Sequence, residues 1–298
     1  MSFATGLKTI VVATELEGRS EAALEYARKF ANAYGARVVL AYGADPADYA
    51  AVGSVPGAVL RKMPEEARTA LNRMADDLLR EGIPSHSEIR QGAVAQMLVD
   101  VARKYEAGLI IVGTRGREGA GPVLVGTLAE EVVRFAPCPV LAVAEDWNAG
   151  PFRPTPGGSV MLATERNEAA QAAASAAYAL AETFERMLLI VHARTAAETS
   201  AILNPCAPAL REFILPEGGA VPMRCIVKDG KPADAIASAI EQYHPAILVV
   251  GVKRTSKTPG PHGTAFTLLA RSRVPVLCVP PENATAPAGA EFASATVL

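Results

Sequence analysis

The sequence predicts two α/β units in one chain, each an open, parallel, five-stranded sheet with helices on both faces. Three observations lead there. Short apolar runs alternate with longer amphipathic ones, the order of the first half recurs in the second, and a Pro/Gly stretch separates the two. Strands alternating with helices of such length imply right-handed βαβ connections and a doubly wound sheet. With 298 residues the chain is long for one core and comfortable for two.

In the first half, Ile10–Ala13, Val38–Ala41, Leu109–Val112 and Val140–Val143 are short apolar runs without polar alternation. A parallel strand reads this way when helices cover both of its faces. Ala23, Ala27, Phe30 and Ala31 form an apolar stripe at helical spacing, and Val94, Leu98, Val101 and Ala102 form another. "PEEARTALNRMADDLLREG" reads as a further helix, with Pro64 in the first turn and acidic residues near the positive end of the dipole. "GTLAEEVVRFA" reads as a helix whose first turn holds Gly126 and Thr127 and whose buried side is Leu128, Val132, Val133 and Ala136.

The second half restates this order. "TIVVATE" and "VMLATE" place Thr14-Glu15 and Thr164-Glu165 150 positions apart. Gly92 precedes Gly113 by 21 positions, as Gly230 precedes Gly251, and both halves close on Pro-Val-Leu. The chain therefore reads as a tandem duplication: a first unit over 1–147, a linker over 148–158, a second unit over 159–281 and a small-residue tail over 282–298. Between Ala193 and Val221 the counterpart of the Pro64 helix is shortened or replaced.

Composition excludes several classes. A net charge of −2 removes the electrostatic reason to expect nucleic acid as a main partner. No apolar stretch reaches membrane-spanning length and no signal peptide opens the chain, so a cytoplasmic protein is expected. Cys138, Cys206, Cys225 and Cys278 form no C-x-x-C pair and no metal-ligand spacing with the histidines, so no metal site is expected. Cys138 and Cys278 read as small buried hydrophobes. Neither a nucleophile elbow nor an ordered His, Cys and acid trio occurs, so no catalytic residue is named. His192 reads as a packed or surface histidine, and His86 and His262 have no visible partners.

Ligands of open parallel sheets bind beyond the carboxyl ends of the strands. That rule selects Glu15, Gly43, Gly92 and the loop "TRGREGAGPVLV" after Gly113. The loop runs into a helix start, where unpaired N–H groups and the dipole favour a phosphate. It is neither a Walker A loop nor G-x-G-x-x-G. On glycine spacing alone it reads equally as a phosphate cradle or a plain mobile loop.

The spacing Gly113-x2-Gly116-x9-Gly126-Thr127 resembles the ATP-binding pattern of the universal stress protein family. "TIVVATELEGRSEAALEYA", "VLAYGA", "IRQGAVAQMLVDVA" and "RFAPCPVLAVA" resemble that family in the same order, and both halves are similar to its tandem members. The resemblance implies Rossmann-like domains of the adenine nucleotide alpha hydrolase-like type, related by a pseudo-two-fold axis through their last strands. It implies ATP, with or without Mg2+, in the first half. Ala13 and Glu15, with Glu in place of the family's usual Asp, would meet the nucleoside, and Gly43 the adenine. Val112 and Gly113 would line the base and ribose, Arg115 and Gly116 the sugar-phosphate region, and Gly126, Thr127, Leu128 and Ala129 the phosphates.

The second half departs from the pattern, with Arg254 where the middle glycine is expected and a shorter loop before Gly263-Thr264. Glu165, Gly251, Arg254, Gly263 and Thr264 thus outline a degenerate second site. The expected function is a nucleotide-responsive stress protein, an internal pseudo-dimer open to further homodimerisation, read by a protein partner of unknown identity. The alternative is an interaction module of the same fold without nucleotide, and after it a slow ATPase.

Overall fold

The computed structural model describes residues 3–14, 20–44, 57–114, 127–144, 158–164, 168–194, 221–252, 263–272 and 274–281. The expected linker up to residue 157, the tail beyond 281 and the shortened region after Arg194 up to residue 220 lie outside them. The strands are β1 (Thr9–Ala13), β2 (Arg37–Ala44), β3 (Ser85–Gln91), β4 (Leu109–Gly113), β5 (Val140–Val143), β6 (Val160–Thr164), β7 (Leu188–Arg194), β8 (Met223–Asp229), β9 (Ile247–Gly251) and β10 (Val276–Val279). The helices are α1 (Phe3–Gly6), α2 (Glu21–Tyr34), α3 (Gly57–Arg80), α4 (Val94–Lys104), α5 (Thr127–Phe135), α6 (Glu168–Thr183), α7 (Pro232–Tyr243) and α8 (Thr264–Arg271).

The strands form one ten-stranded mixed sheet in the order β3-β2-β1-β4-β5-β10-β9-β6-β7-β8. The two expected five-stranded units are continuous in this sheet, joined through β5 and β10, the last strand of each half. β5 and β10 are apolar edges that would otherwise expose unpaired backbone groups, and antiparallel pairing covers both. Every other pairing is parallel.

The register at this seam is informative. Leu141 pairs with Leu277, Val140 with Cys278, and Ala142 with Val276. Matching the two Pro-Val-Leu segments makes Leu141 and Leu277 counterparts, so the seam has the self-complementary form of an isologous contact. The helices repeat it. Tyr34 and Phe184, counterparts 150 positions apart, meet edge-on at 6.4 Å.

Side chains of successive strand residues alternate between two apolar layers. Ile10, Val12, Leu109 and Ile111 face α2, α3 and α6, while Val11, Ile110 and Val112 face α4, α5, α7 and α8. Both layers run through the seam into the second half. α6 is buried on most sides, because its alanines let it approach β6, β9 and α1 closely. α3 begins at Gly57, so Pro64 stands in its third turn rather than its first. The apolar positions Ala67, Leu71, Ala75 and Leu78 hold the helix on the sheet beyond it.

Backbone breaks also recur. Gly92 and Gly230 adopt φ of 119° and 127°, a region that only glycine enters freely, just before α4 and α7. After α2 and α6 the chain turns left-handed at Gly35 (φ 63°) and at Glu185 (φ 51°). Glu185 carries a Cβ into a conformation that disfavours one, and it has no ion pair among the described residues. Glu185→Gly should therefore stabilise the chain by about 0.5–1 kcal/mol, read as a higher urea midpoint at unchanged slope.

Candidate functional site

The carboxyl ends of β1, β2 and β4 lie side by side, which brings Ala13, Gly43, Val112 and Gly113 to one edge. Ala13 ends β1 opposite Ala41. Thr14 is buried and ties this end to β2, donating from N–H and Oγ1 to the Ala41 carbonyl at 2.9 and 3.1 Å. β4 is tied to β5 in the same manner, Thr114 N–H donating to the Val143 carbonyl at 3.0 Å. The edge is therefore braced where the loops leave it. Glu15, Arg115, Gly116 and Gly126 lie outside the described residues.

Val112 is fully buried in the layer beneath α4 and α5, so only its backbone faces the edge. Gly113 is exposed, and a Cβ built there meets no atom within 4 Å. Packing among the described residues thus does not explain the absence of a side chain at Gly113. Gly43 differs. A Cβ there would sit 2.8 Å from Val94 Cγ2 and 3.1 Å from Met97 Cε. Its counterpart in β7 is Ala193, and the residues that correspond to Val94 and Met97 are the smaller Pro232 and Ala235. The methyl lost at Gly43 is returned by larger side chains on α4, so a packing exchange accounts for this glycine.

Thr127 is the first residue of α5. Leu128 is half-buried and Ala129 is buried against the same layer, so Ala129 offers only main-chain groups at the helix start. Burial pushes the carboxyls of Glu130 and Glu131 up, while the nearby Arg134 guanidinium pulls them back. Arg134 also reaches across the seam to lie 5.9 Å from the Phe266 ring of α8.

In the second half, Gly251 ends β9 beside Val279, and Val252 N–H donates to the Val279 carbonyl at 2.9 Å, the counterpart of the Thr114 bond. Gly263 adopts φ 136° and ψ 160° at the start of α8, with Thr264 following it. Glu165 and Arg254 lie outside the described residues. His192 is buried, and its Nδ1 approaches the Thr164 carbonyl at 3.2 Å, a contact that places a proton on Nδ1. Cys138 and Cys278 are buried, and burial pushes the Cys278 thiol up to about 12.

Two features escaped the sequence reading. His86 does have a partner, the Tyr105 ring at 4.8 Å. Around that ring stand Lys104 and Arg37, with Nζ and Cζ 4.7 and 5.8 Å from its centroid. Burial raises the Glu88 carboxyl, yet hydrogen bonds from Lys104, Tyr105 and Arg90 outweigh it and hold the group below the usual range. The other feature is a cleft of about 800 Å³ lined by residues of both halves, among them Lys8, Thr9, Arg37, Gly108, Ser175 and Pro280. It lies at the amino ends of β1, β2 and β4, opposite the edge that carries Gly113. No motif marks the amino ends of strands, and a rule that looks to carboxyl ends passes over them.

The sequence model of the universal stress protein family matches residues 6–144. A universal stress protein of Methanocaldococcus jannaschii is 33% identical over 141 residues, which cover 46% of this chain and 81% of that protein. The chain belongs to the universal stress protein family. A universal stress protein of Thermus aquaticus is 30% identical over 138 residues, covering 98% of its own length and 46% of this chain. These relatives each correspond to about half of the chain. Among solved structures, a universal stress protein from Archaeoglobus fulgidus superimposes with a TM-score of 0.72 at 18% identity, over 91% of this chain and 98% of that one. A protein of Pseudomonas aeruginosa described as functionally unknown gives 0.69 at 19% identity, over 94% and 95%. At these identities the likeness extends the fold, not the activity, to the whole chain.

Proposed function

We propose that this universal stress protein binds ATP or a related adenine nucleotide through its first half, and that the bound state alters a surface read by a protein partner. Two universal stress domains, over 1–147 and 159–281, form an internal pseudo-dimer in this reading, and Mg2+ accompanies the triphosphate. The protein acts as a regulator rather than a dedicated catalyst. The observation that carries the reading is Gly113. It ends β4 at the carboxyl edge of the sheet, where open sheets take ligands, and no contact among the described residues requires it to lack a side chain.

In this reading Ala13 and Glu15 hold the nucleoside, the backbone of Val112 and Gly113 passes beneath it, and Arg115 and Gly116 meet the sugar-phosphate. Gly126, Thr127, Leu128 and Ala129 offer main-chain donors at the positive end of α5 to the phosphates. The second half carries no equivalent site, because Arg254 and the shorter loop replace the glycine spacing. The packing of Gly43 against Val94 favours a second reading, an interaction module of this fold in which the glycines serve structure alone.

Calorimetric titration of the purified chain with ATP, with and without Mg2+, separates the two. One nucleotide per chain is expected. Gly116→Arg and Gly126→Asp should weaken it by roughly a hundredfold while the circular dichroism spectrum is kept. Absence of binding at millimolar ATP would overturn the nucleotide reading, and two nucleotides per chain would overturn its restriction to one half.

A further inference from the structure

The cleft of about 800 Å³ is built differently from the nucleotide edge, and both halves contribute to it. The first half supplies the amino ends of β1, β2, β4 and β5. Because β5 and β10 run antiparallel, those ends lie beside the carboxyl end of β10, where Val279 and Pro280 line the wall. α6 adds Ala172, Ser175 and Ala176 from above. The cleft thus lies at the amino ends of four strands beside the carboxyl end of one, between the two halves, and recesses between two packed units are common places for small ligands.

Its polar lining includes two cations, of which Arg37 is held in place. Arg37 donates from Nε to Thr9 Oγ1 at 2.9 Å and from Nη2 to the Tyr105 carbonyl at 3.4 Å, and its guanidinium lies near the Tyr105 ring. That orientation leaves the Nη1 end of the fork without a bonded partner among the described residues. Lys8 is exposed at the same rim, and neither cation has an ion pair among the described residues. Glu106 is the one carboxylate of the described lining, so the rim carries one net positive charge. Phe3, Pro139, Ala172, Ala176 and Val279 make the remaining wall apolar.

We propose that this inter-half cleft binds a small organic anion with an apolar body, its charged group held by Arg37 and Lys8 and its body laid against Phe3, Ala176 and Val279. A fixed guanidinium fork suits a planar or tetrahedral anion, and the second cation adds charge without a geometric demand. The site is independent of the nucleotide reading, since it shares no residue with that edge.

The test uses the full chain and 8-anilinonaphthalene-1-sulfonate as a fluorescent probe, with octanoate, 1-octanol and ATP as competitors. One saturable probe site per chain is expected, displaced by octanoate and neither by 1-octanol nor by ATP. Lys8→Glu changes an exposed side chain and should weaken the probe roughly tenfold or more. Ser175→Trp, which fills the cleft from an exposed position on α6, should abolish it. Circular dichroism confirms that both variants fold. Equal displacement by octanoate and 1-octanol would overturn the role of the cations. Stoichiometric displacement by ATP, an unchanged affinity in both variants, or no saturable site would overturn the cleft itself.

Discussion

Gly108→Ala is expected to destabilise the protein by about 3 kcal/mol, because the new methyl has nowhere to go. A Cβ at Gly108 would stand 2.3 Å from the Gly6 carbonyl oxygen and 2.9 Å from both Gly6 C and Leu7 Cα. These are backbone atoms, so no side-chain rotation relieves the overlap. The strand start itself tolerates a side chain. Its counterpart is Ala246, which donates from N–H to the Ser159 carbonyl at 2.9 Å, as Gly108 does to the Thr9 carbonyl at 2.9 Å. The demand at Gly108 therefore comes from the α1–β1 connection crossing it, with Leu7 buried in the layer shared by α2 and α6. Pushing that connection outward would loosen Leu7 and the contact of α1 with α6. The melting temperature should fall by roughly 5–10 °C for a chain of this size. Gly113→Ala is the control: its Cβ meets no atom within 4 Å, so stability should be kept even if nucleotide affinity changes. Equal melting temperatures for Gly108→Ala and the parent would refute the clash.

Particular residues show how far the sequence carries. The runs that became β1, β4 and β5 were legible because strands covered on both faces are apolar throughout, and all three are buried. β3, "SHSEIRQ", carries no such mark, since an edge strand has one neighbour and stays half-exposed. The seam was legible as an apolar strand following a proline. Its register, centred on Leu141 and Leu277, was not, because one-residue slips leave composition unchanged. At the candidate site, the carboxyl-end rule took Gly43 and Gly113 together, and both end strands at one edge of the sheet. Only the approach of Val94 and Met97 separates a glycine exchanged for helix bulk from one that packing does not require. The amino-edge cleft could not be read at all, because Lys8 and Arg37 meet through the β1–β2 pairing while Ser175 joins them only through the packing of the two halves.

That seam also sets the largest expected loss of stability, at Phe30. Its ring is fully buried on α2, stacked on Tyr34 at 6.1 Å and edge-on to Phe184 at 5.6 Å. Phe3 closes the group against Tyr34 at 6.3 Å. In a chain with only 5% aromatic residues, this concentration of rings where the halves meet makes the seam a core rather than a surface contact. Burial raises the Tyr34 hydroxyl, as does the neighbouring Glu182, against a lowering by Thr183, so the phenol stays neutral beside the cluster. Phe30→Ala removes a buried ring whose space α2 and α6 cannot close without leaving the sheet, and should cost about 3–5 kcal/mol. Phe184 is only half-buried, so Phe184→Ala should cost less. A double-mutant cycle between them should return a coupling of about 0.5–1.5 kcal/mol, the share of the ring contact itself. The shape of the transition is the sharper readout. Because the apolar layer of Phe30 runs unbroken from α3 to α6, the parent chain should unfold in urea as one transition by circular dichroism. Phe30→Ala should move its midpoint down at constant slope. Two resolved transitions in the parent would show that the halves unfold separately and that the rings do not join them, whereas a split appearing only in Phe30→Ala would locate the coupling in this cluster.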